Sequence, residues 1–213
     1  MATAAVAEHH AEHHYTSTGL PHTKIAIWAF IGSECFFFAS LISTYLIYKG
    51  RSVVGPFPHT AWTDPSTGQH FHAILNIPVT SASTFVLLMS SLAMVLAHSA
   101  VERSDHKWSR IWLFTTALLG ATFLGFQAYE FTSFVHEGLK ITTNLFGSTF
   151  FITTGFHGAH VTVGVLWLVT MLFIDKKRGL GPRDAINVDV MALYWHFVDV
   201  VWVAIFTLLY LLQ

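Results

Sequence analysis

Six ionisable side chains of this sequence lie within or at the edge of long apolar stretches, where a charge is costly. They are three carboxylic acids and three histidines: Glu34, Glu130, Asp199, His157, His160 and His196. An acidic residue at the centre of a bilayer costs about 2.5–3.5 kcal/mol on insertion scales, so such residues usually mark a functional site or a buried contact. The chemistry open to them is metal or haem ligation, or hydrogen bonding that fixes how helices pack.

Glu34 is the most unusual of these residues because it lies inside the apolar run Ile25–Tyr48. At 1.5 Å per residue it would lie about 13 Å below the start of a helix, near the middle of a bilayer. No Lys or Arg is close to it in the sequence. We therefore expect Glu34 either to be protonated at neutral pH through desolvation, or to bond a polar partner on another helix.

The histidines occur in pairs with helical spacing. His157 and His160 are three residues apart and share a helix face, and His196 and Asp199 are related in the same way. A carboxylate one turn from a histidine can fix the tautomer and hold the charge of the imidazole. Haem ligation between facing helices is the alternative, but helix rise places His160 about 21 Å and His196 about 12 Å from the same membrane surface, a poor match for one haem.

Other histidines lie outside the apolar stretches. Such tracts can bind metal weakly, but we interpret these as solvated. The N-terminal group falls in a predicted mobile tail over residues 1–22, and a second group falls in the first loop: His9, His10, His13, His14, His22, His59, His70 and His72.

Composition makes lipid the solvent for much of this chain. Of its 213 residues 53% are hydrophobic and 11% are charged, whereas a soluble domain is about 25% charged. A net charge of −1 argues against nucleic acid as a partner. The single cysteine, Cys35, excludes an internal disulfide and the multi-cysteine sites of zinc and iron–sulfur proteins.

Five apolar stretches are long enough to cross about 30 Å of hydrocarbon. Because backbone groups in lipid must bond internally, they predict an all-α bundle of five transmembrane helices forming one domain over residues 23–213. The fourth is long enough to be tilted or to protrude. The predicted helices are Ile25–Tyr48, Ile74–His98, Trp108–Phe131, Phe146–Ile174 and Val188–Leu212.

The distribution of Lys and Arg predicts the orientation. Three lie on one side, Lys49, Arg51 and Lys140, and eight on the other. The richer side is expected to be cytoplasmic, which places the N-terminus inside and the C-terminus outside. Trp62, Trp108 and Trp112 lie near predicted span ends, as interfacial anchors do. The eight Lys and Arg residues on the side expected to be cytoplasmic are Lys24, Arg103, Lys107, Arg110, Lys176, Lys177, Arg178 and Arg183.

Small residues recur on two of the predicted spans. They permit close approach of helices in lipid. On the second span they are seven residues apart, and on the fourth they surround the two histidines: Ser83, Ser90, Ala97, Gly155, Gly158 and Gly164.

Taken together, these segments resemble subunit III of the haem-copper respiratory oxidases from about His22 to Gln213. The longest matching segments are Gly147–Val161, which is similar to the fourth-span signature of the family's short form, and Tyr194–Trp202, which is similar to its last-span signature. Shorter matches are Gln127–Phe131, Leu75–Val79 and Ser33–Phe38, the last of which contains the family's buried, carbodiimide-reactive glutamate at Glu34.

The resemblance implies a subunit of a proton-pumping cytochrome c oxidase in the bacterial plasma membrane, with no catalytic centre, metal or haem of its own. Haems and copper would reside in subunits I and II, the first in direct contact with this chain, and a cytochrome c would donate electrons. The chain would bind phospholipid and help to sustain proton uptake. The family's long form has seven spans, the first two of which form a lipid-filled cleft with the rest; with five spans here, helices from another chain such as an extended subunit I would complete that cleft, or it would be open.

Three other interpretations stay open. A quinol oxidase uses the same kind of subunit, although Glu34 and the segment Tyr194–Asp199 look more like the cytochrome c branch. A related five-span protein accompanies nitric oxide reductase. A stand-alone transporter or b-type cytochrome is the third.

Overall fold

The computed structural model describes residues 21–52, 55–63, 68, 70–71, 73–181 and 184–212. Within these residues, five helices are long and apolar enough to span a membrane, which confirms the predicted all-α membrane bundle. They are α1 (His22–Tyr48), α2 (Ile77–Glu102), α3 (His106–His136), α4 (Leu145–Arg178) and α5 (Ala185–Ile205). Two short paired strands, β1 (Trp62–Thr63) and β2 (His70–Phe71), lie in the loop between α1 and α2.

Side-chain caps determine where three of the helices begin. Asn76 accepts a hydrogen bond from the backbone N–H of Val79, and Asp105 and Asn144 cap α3 and α4 in the same way. The cap at Asn76 places the start of α2 at Ile77 rather than at the predicted Ile74.

The helices also extend further than predicted at several ends. α2 continues to Glu102, α3 runs from His106 to His136, and α4 continues to Arg178. At 34 residues, α4 is about 51 Å long and exceeds the hydrocarbon thickness, as its apolar length predicted. Helix α1 begins at His22, and the predicted tail before it lies almost wholly outside the described residues.

The chain after α5 continues as six residues, Phe206–Leu211, with wider turns. There the N–H of Leu212 donates to the carbonyl of Thr207, five residues back, at 3.1 Å. Single wide turns of this kind often occur at functional sites. Hydrophobic periodicity gave no signal for it, because the apolar character of the last span continues without a break.

Helix α5 is the centre of the bundle and α1 is its edge. Helix α5 packs mainly against α1, α2 and α4, whereas α3 packs mainly against α2 and α4 and meets α5 through side chains such as Phe123 and Trp202. In the most apolar window of each helix, 56% of the residues of the last span are buried, against 11% of those of α1. Most of the surface of α1 therefore faces lipid or a neighbouring chain.

The small residues on α2 and α4 have different surroundings. Ser83, Ser90 and Ala97 are all buried, as the close-packing prediction requires. Gly164 packs against Trp195, and Gly158 packs against Gln127. Gly155 has open space beside it, so the predicted close approach is wrong at this one position.

Asp175 links α4 to α3 at the end of the bundle where α3 begins and α4 ends. The side chain is fully buried and accepts hydrogen bonds from the Ser109 hydroxyl at 3.1 Å and from Nε of Arg110 at 3.1 Å. Its other oxygen accepts the N–H of Leu180 at 2.7 Å. This carboxylate fixes the turn after α4 against the first turn of α3.

The predicted interfacial tryptophans lie near helix ends and in the first loop. Trp108 and Trp112 stack on each other at the start of α3, with ring centroids 6.1 Å apart. Trp62 lies in β1, where its ring meets Phe57 edge-on at 6.2 Å and covers Gly55.

Candidate functional site

Glu34 contacts a histidine on another helix. Oε2 of Glu34 on α1 lies 3.2 Å from Nε2 of His160 on α4. Their side chains are 19% and 17% exposed, respectively. This agrees with the expectation that Glu34 either is protonated or finds a polar partner on a different helix.

The hydrogen bonds of His160 indicate that a proton lies between its Nε2 and the carboxyl oxygen of Glu34. Nδ1 of His160 is 2.7 Å from the carbonyl oxygen of Phe156, which can only accept, so Nδ1 carries a hydrogen. If the ring is neutral, Nε2 has no hydrogen and can only accept. An ionised Glu34 would then place two acceptor atoms against each other with no hydrogen between them. The contact therefore contains a shared proton, either as glutamic acid with imidazole or as glutamate with imidazolium.

The surroundings of this proton-sharing pair are aromatic and apolar. The rings of Phe37 and Phe38 lie 6.5 Å and 5.0 Å from the imidazole of His160, centroid to centroid. The hydroxyl of Tyr194 on α5 donates to the backbone carbonyl of His160 at 2.9 Å. Because low polarity favours the uncharged form of such a pair, the arrangement favours glutamic acid bonded to neutral imidazole.

An open groove of about 450 Å³ reaches His160, one member of the pair, from the outside of the bundle. It is bounded by α1, α4 and α5, and its walls are almost wholly apolar. The lining residues are Ile27, Phe30, Phe156, Ala159, His160, Val163, Trp167 and Tyr194. An acyl chain is the kind of group that such a groove fits.

Glu130 forms a second, separate polar centre. It is 6% exposed and accepts the Thr80 hydroxyl on Oε1 at 2.6 Å and the Tyr210 hydroxyl on Oε2 at 3.2 Å. Three segments of the chain, α2, α3 and the wide turns after α5, meet at this carboxyl group. The sequence placed Glu130 at the edge of a span, whereas it lies within α3, six residues before the helix ends.

His157 has no polar partner within the described part of the chain. It is fully buried, and neither ring nitrogen has a hydrogen-bond partner there. Its ring stacks on Trp202 at 4.8 Å and meets Phe123 edge-on at 5.8 Å. These aromatic contacts hold the imidazole in place in the middle of the bundle, one turn from the proton-sharing pair.

His196 and Asp199 share a helix face, as predicted, but His196 bonds to a different residue. Nδ1 of His196 lies 2.6 Å from the hydroxyl of Ser91 on α2. Ser91 also lies near Asp199, yet neither oxygen of this buried carboxyl group accepts a hydrogen bond of ordinary geometry. A serine, rather than the acid one turn away, therefore orients the imidazole.

The six residues singled out from the sequence thus form several local sites rather than one. Glu34 with His160, Glu130 with its two hydroxyls, and His196 with Ser91 each have their own partners. Among the residues that the structure describes, no group of three or more His, Cys, Asp or Glu side chains is arranged to hold a metal ion.

Sequence reasoning did not find the hydroxyl partners. Thr80, Ser91 and Tyr210 donate to or accept from the predicted polar residues, and Thr84 accepts the indole N–H of Trp202 at 2.9 Å. Serine and threonine are common in membrane helices, where most bond to their own backbone, so their types carried no signal.

Comparison with known proteins gives matches along almost the whole chain. A family model described as cytochrome c oxidase subunit III matches residues 3–213. Cytochrome c oxidase subunit 3 of Bacillus sp. (strain PS3) is 42% identical over 88% of this chain and 84% of its own length. Quinol oxidase subunit 3 of Bacillus subtilis (strain 168) is 35% identical over 95% of this chain and 97% of its own. Cytochrome c oxidase subunit 3 of Corynebacterium diphtheriae is 38% identical over 86% and 85%, respectively.

Proposed function

Since the chain belongs to the cytochrome c oxidase subunit III family, and is thereby subunit III of a haem-copper oxidase, we propose that it is the non-redox subunit that supports proton uptake during the reduction of O2 to water. The observation that carries this proposal is the family match across residues 3–213. No catalytic step is assigned to this chain. The haems and copper belong, in this proposal, to its partner subunits.

The proton-sharing pair of Glu34 and His160 is the element to which we assign the supporting role. It can exchange a proton between a carboxyl group and an imidazole without changing its total charge, which keeps the cost low inside lipid. The apolar groove beside it would hold an acyl chain of a phospholipid. Bound lipid and the pair would together shield the neighbouring subunit.

The proposed partners are subunit I in direct contact, subunit II and phospholipid. The proposed location is a bacterial plasma membrane, with the N-terminus on the cytoplasmic side because eight of the eleven Lys and Arg residues lie on that side. Two ion pairs at that surface, Lys24 with Asp189 and Arg178 with Asp184, each have an N–O distance of 2.7 Å.

We propose a cytochrome c as the electron donor to the complex. The relative from strain PS3 that is named a cytochrome c oxidase subunit is 42% identical to this chain, against 35% for the Bacillus subtilis quinol oxidase subunit. A quinol donor is the alternative, favoured by the match of that quinol oxidase subunit to 95% of this chain.

Purification through a tag on this chain tests the proposal. We expect a complex that contains a haem-carrying subunit and a copper-binding subunit, that shows haem absorption and that oxidises reduced cytochrome c. If the complex oxidised only quinol, the donor assignment would be wrong but the subunit assignment would stand. If the chain purified alone and itself absorbed as a haem protein, the non-redox role would be wrong.

A further inference from the structure

A polar cleft opens at the end of the bundle where α2 begins and α3 ends, and Glu130 lies in its wall. The volume of the cleft is about 280 Å³. Asn76, Ser133 and Glu137 also line it, and most of its exposed wall is polar. The groove beside His160, by contrast, is almost wholly apolar. A water molecule needs about 10–15 Å³ of such space and polar partners to bond, so the cleft has room for several.

The position of Glu130 along α3 places it within reach of the aqueous phase. It lies six residues before His136, the last residue of the helix, which is about 9 Å by helix rise. Glu137 follows that end and is exposed. Ser133 lies between the two acids on one helix face, because residues three and four apart are neighbours on a helix. A row of polar side chains therefore connects Glu130 with the surface.

The hydroxyl of Thr80 can bond to Glu130 in both protonation states. It lies 2.6 Å from Oε1 of Glu130 and 3.0 Å from the backbone carbonyl oxygen of Asn76. A hydroxyl has one hydrogen to donate and lone pairs with which to accept. It donates to Oε1 when the carboxyl group is ionised. When Oε1 carries a hydrogen, the acid donates to the hydroxyl of Thr80, whose own hydrogen then turns to the carbonyl of Asn76.

The other groups around the carboxyl also tolerate a change of its charge. Tyr210 donates to Oε2, which can accept in either state, so no buried donor loses its partner. The further ionisable groups at the cleft are Tyr129 and Glu137 on α3, and α2 with its cap contributes only neutral polar groups. Among the described residues that line the cleft there is no Lys, Arg or His. No cation in this lining therefore holds Glu130 in its ionised form.

We propose that Glu130 is a proton-exchanging site, whose carboxyl group takes up and releases protons through the polar cleft from the aqueous phase at the end of the bundle where α2 begins. The proposed orientation places this end outside the cytoplasm. The site is separate from the pair of Glu34 and His160, which lies among apolar side chains. It does not rest on the proposed function, so a chain that purified without any oxidase subunit would overturn that function and leave this proposal to its own tests.

A water-soluble carbodiimide with glycinamide, applied to open membrane fragments that contain the full-length chain, tests access to the carboxyl group. The carboxyl O–H adds across a C=N bond of the carbodiimide to give an O-acylisourea. Glycinamide then displaces the urea, and mass spectrometry locates the amide that forms. We expect Glu130 to be labelled more slowly than exposed Glu137, but many times faster than Asp175, which is fully buried. Labelling of Glu130 no faster than that of Asp175 would overturn the proposal.

Ser133→Leu should close the cleft, and Thr132→Leu is its matched control. Thr132 is the neighbouring residue of the same helix, is exposed outside the cleft, and donates its hydroxyl to the carbonyl of Ala128. Labelling of Glu130 should fall several-fold in Ser133→Leu and stay unchanged in Thr132→Leu. Circular dichroism checks that both variants are folded. Equal labelling of Glu130 in the two folded variants would overturn access through the cleft.

Infrared titration tests the proton exchange itself and leaves the cleft unaltered. In the difference spectrum between the unchanged protein and Glu130→Gln, the carboxylic acid C=O band of Glu130 should give way to carboxylate bands as the pH rises. A single protonation state over the whole pH range in which the protein stays folded would overturn the proposal, even if the carbodiimide reached the carboxyl group.

Discussion

Tyr210 donates its hydroxyl to Oε2 of Glu130 at 3.2 Å, and so joins the last turns of the chain to the third helix. On the other carboxyl oxygen, the hydroxyl of Thr80 donates from the second helix at 2.6 Å. Tyr210 is 1% exposed and lies where the helix after Ile205 has widened. A single buried carboxyl group therefore holds three segments that are far apart in sequence.

Replacing Glu130 with alanine should destabilise the bundle by about 2–3 kcal/mol, because the buried Tyr210 hydroxyl loses its acceptor, the Thr80 hydroxyl keeps only its longer contact with the Asn76 carbonyl, and a small cavity forms. Glu130→Gln keeps one acceptor and most of the volume, and should cost less than about 1 kcal/mol. The free energy of unfolding can be measured by titration with a denaturing detergent, followed by circular dichroism.

Glu137 provides the control for this prediction, because its side chain is exposed at the end of the same helix. Glu137→Ala should change stability by less than about 0.5 kcal/mol. Equal costs for Glu130→Ala and Glu137→Ala would show that the carboxyl group of Glu130 does not hold the segments together.

The shared proton of Glu34 and His160 should be visible by infrared spectroscopy. We expect a carboxylic acid C=O band at neutral pH that is absent from Glu34→Gln, because apolar surroundings favour the uncharged pair. The amide N–H of the glutamine can still donate to Nε2 of His160, so the variant should fold normally. Detection of an ionised Glu34 at pH 7 would contradict the uncharged form.

Removal of the carboxyl group should spare the redox chemistry of the complex. Glu34→Ala is expected to leave the haem spectra and the initial turnover largely unchanged, because neither depends on a side chain of this subunit in the proposed function. The measurement is the optical spectrum and the early rate of O2 consumption of the purified variant. Loss of a haem signal would give Glu34 a role that the proposal does not contain.

The five spans could be predicted from sequence because length and apolar character are local properties. The ends were less accurate, since an apolar run does not reveal a cap such as Asn76 or a polar extension such as the last turns of α3. The partner of Glu34 could be expected in kind but not identified. His160 is 126 residues away, and the choice between His157 and His160 depends on the rotation of α4 against α1.

The same limit explains the missed partners of the other polar residues. Whether Ser91 or Asp199 orients His196 depends on the distance between α2 and α5, which no spacing within α5 encodes. The wide turns that carry Tyr210 depend on tertiary packing rather than on residue type. Sequence thus identified which residues are polar in the membrane, whereas the structure was needed to pair them.

Stability near neutral pH should respond to His59, which lies in the loop outside the spans. Burial, and to a smaller extent the charge of Lys49, lower the pKa of His59 below its ordinary value of 6.5. The unfolded chain then binds this proton more readily than the folded one, so stability falls as the pH drops below about 6.5, until the folded group also titrates.

Comparison of His59→Gln with the unchanged protein isolates this effect. The variant should lose less stability between about pH 7 and about pH 5.5, because the proton-binding difference at this position is gone. His136→Gln, which changes an exposed histidine at the end of α3, is the control and should keep the full pH dependence. Identical pH profiles for all three proteins would exclude His59 as a contributor.

Trp195 on α5 packs against Gly120 on α3 and Gly164 on α4. The absence of a side chain at these two glycines allows the Trp195 ring to lie close to both helices. It is fully buried, and its indole N–H donates to the hydroxyl of Ser90 at 2.9 Å. A Cβ at Gly120 would lie 2.6 Å from its ring, and a Cβ at Gly164 would lie 2.7 Å from it. Both contacts are too short for a methyl group, so the ring or the helices would have to move.

Gly164→Ala should therefore destabilise the bundle by about 1–3 kcal/mol through overpacking. The matched control is Gly155→Ala on the same helix, where nothing lies within 4 Å of the added methyl group, and it should be neutral or stabilise by up to about 1 kcal/mol. In a double-mutant cycle, Trp195→Phe should relieve the overpacking, so the double variant should cost at least about 0.5 kcal/mol less than the sum of the single variants. If the two costs simply added, the contact between Gly164 and Trp195 would not limit the approach of α4 to α5.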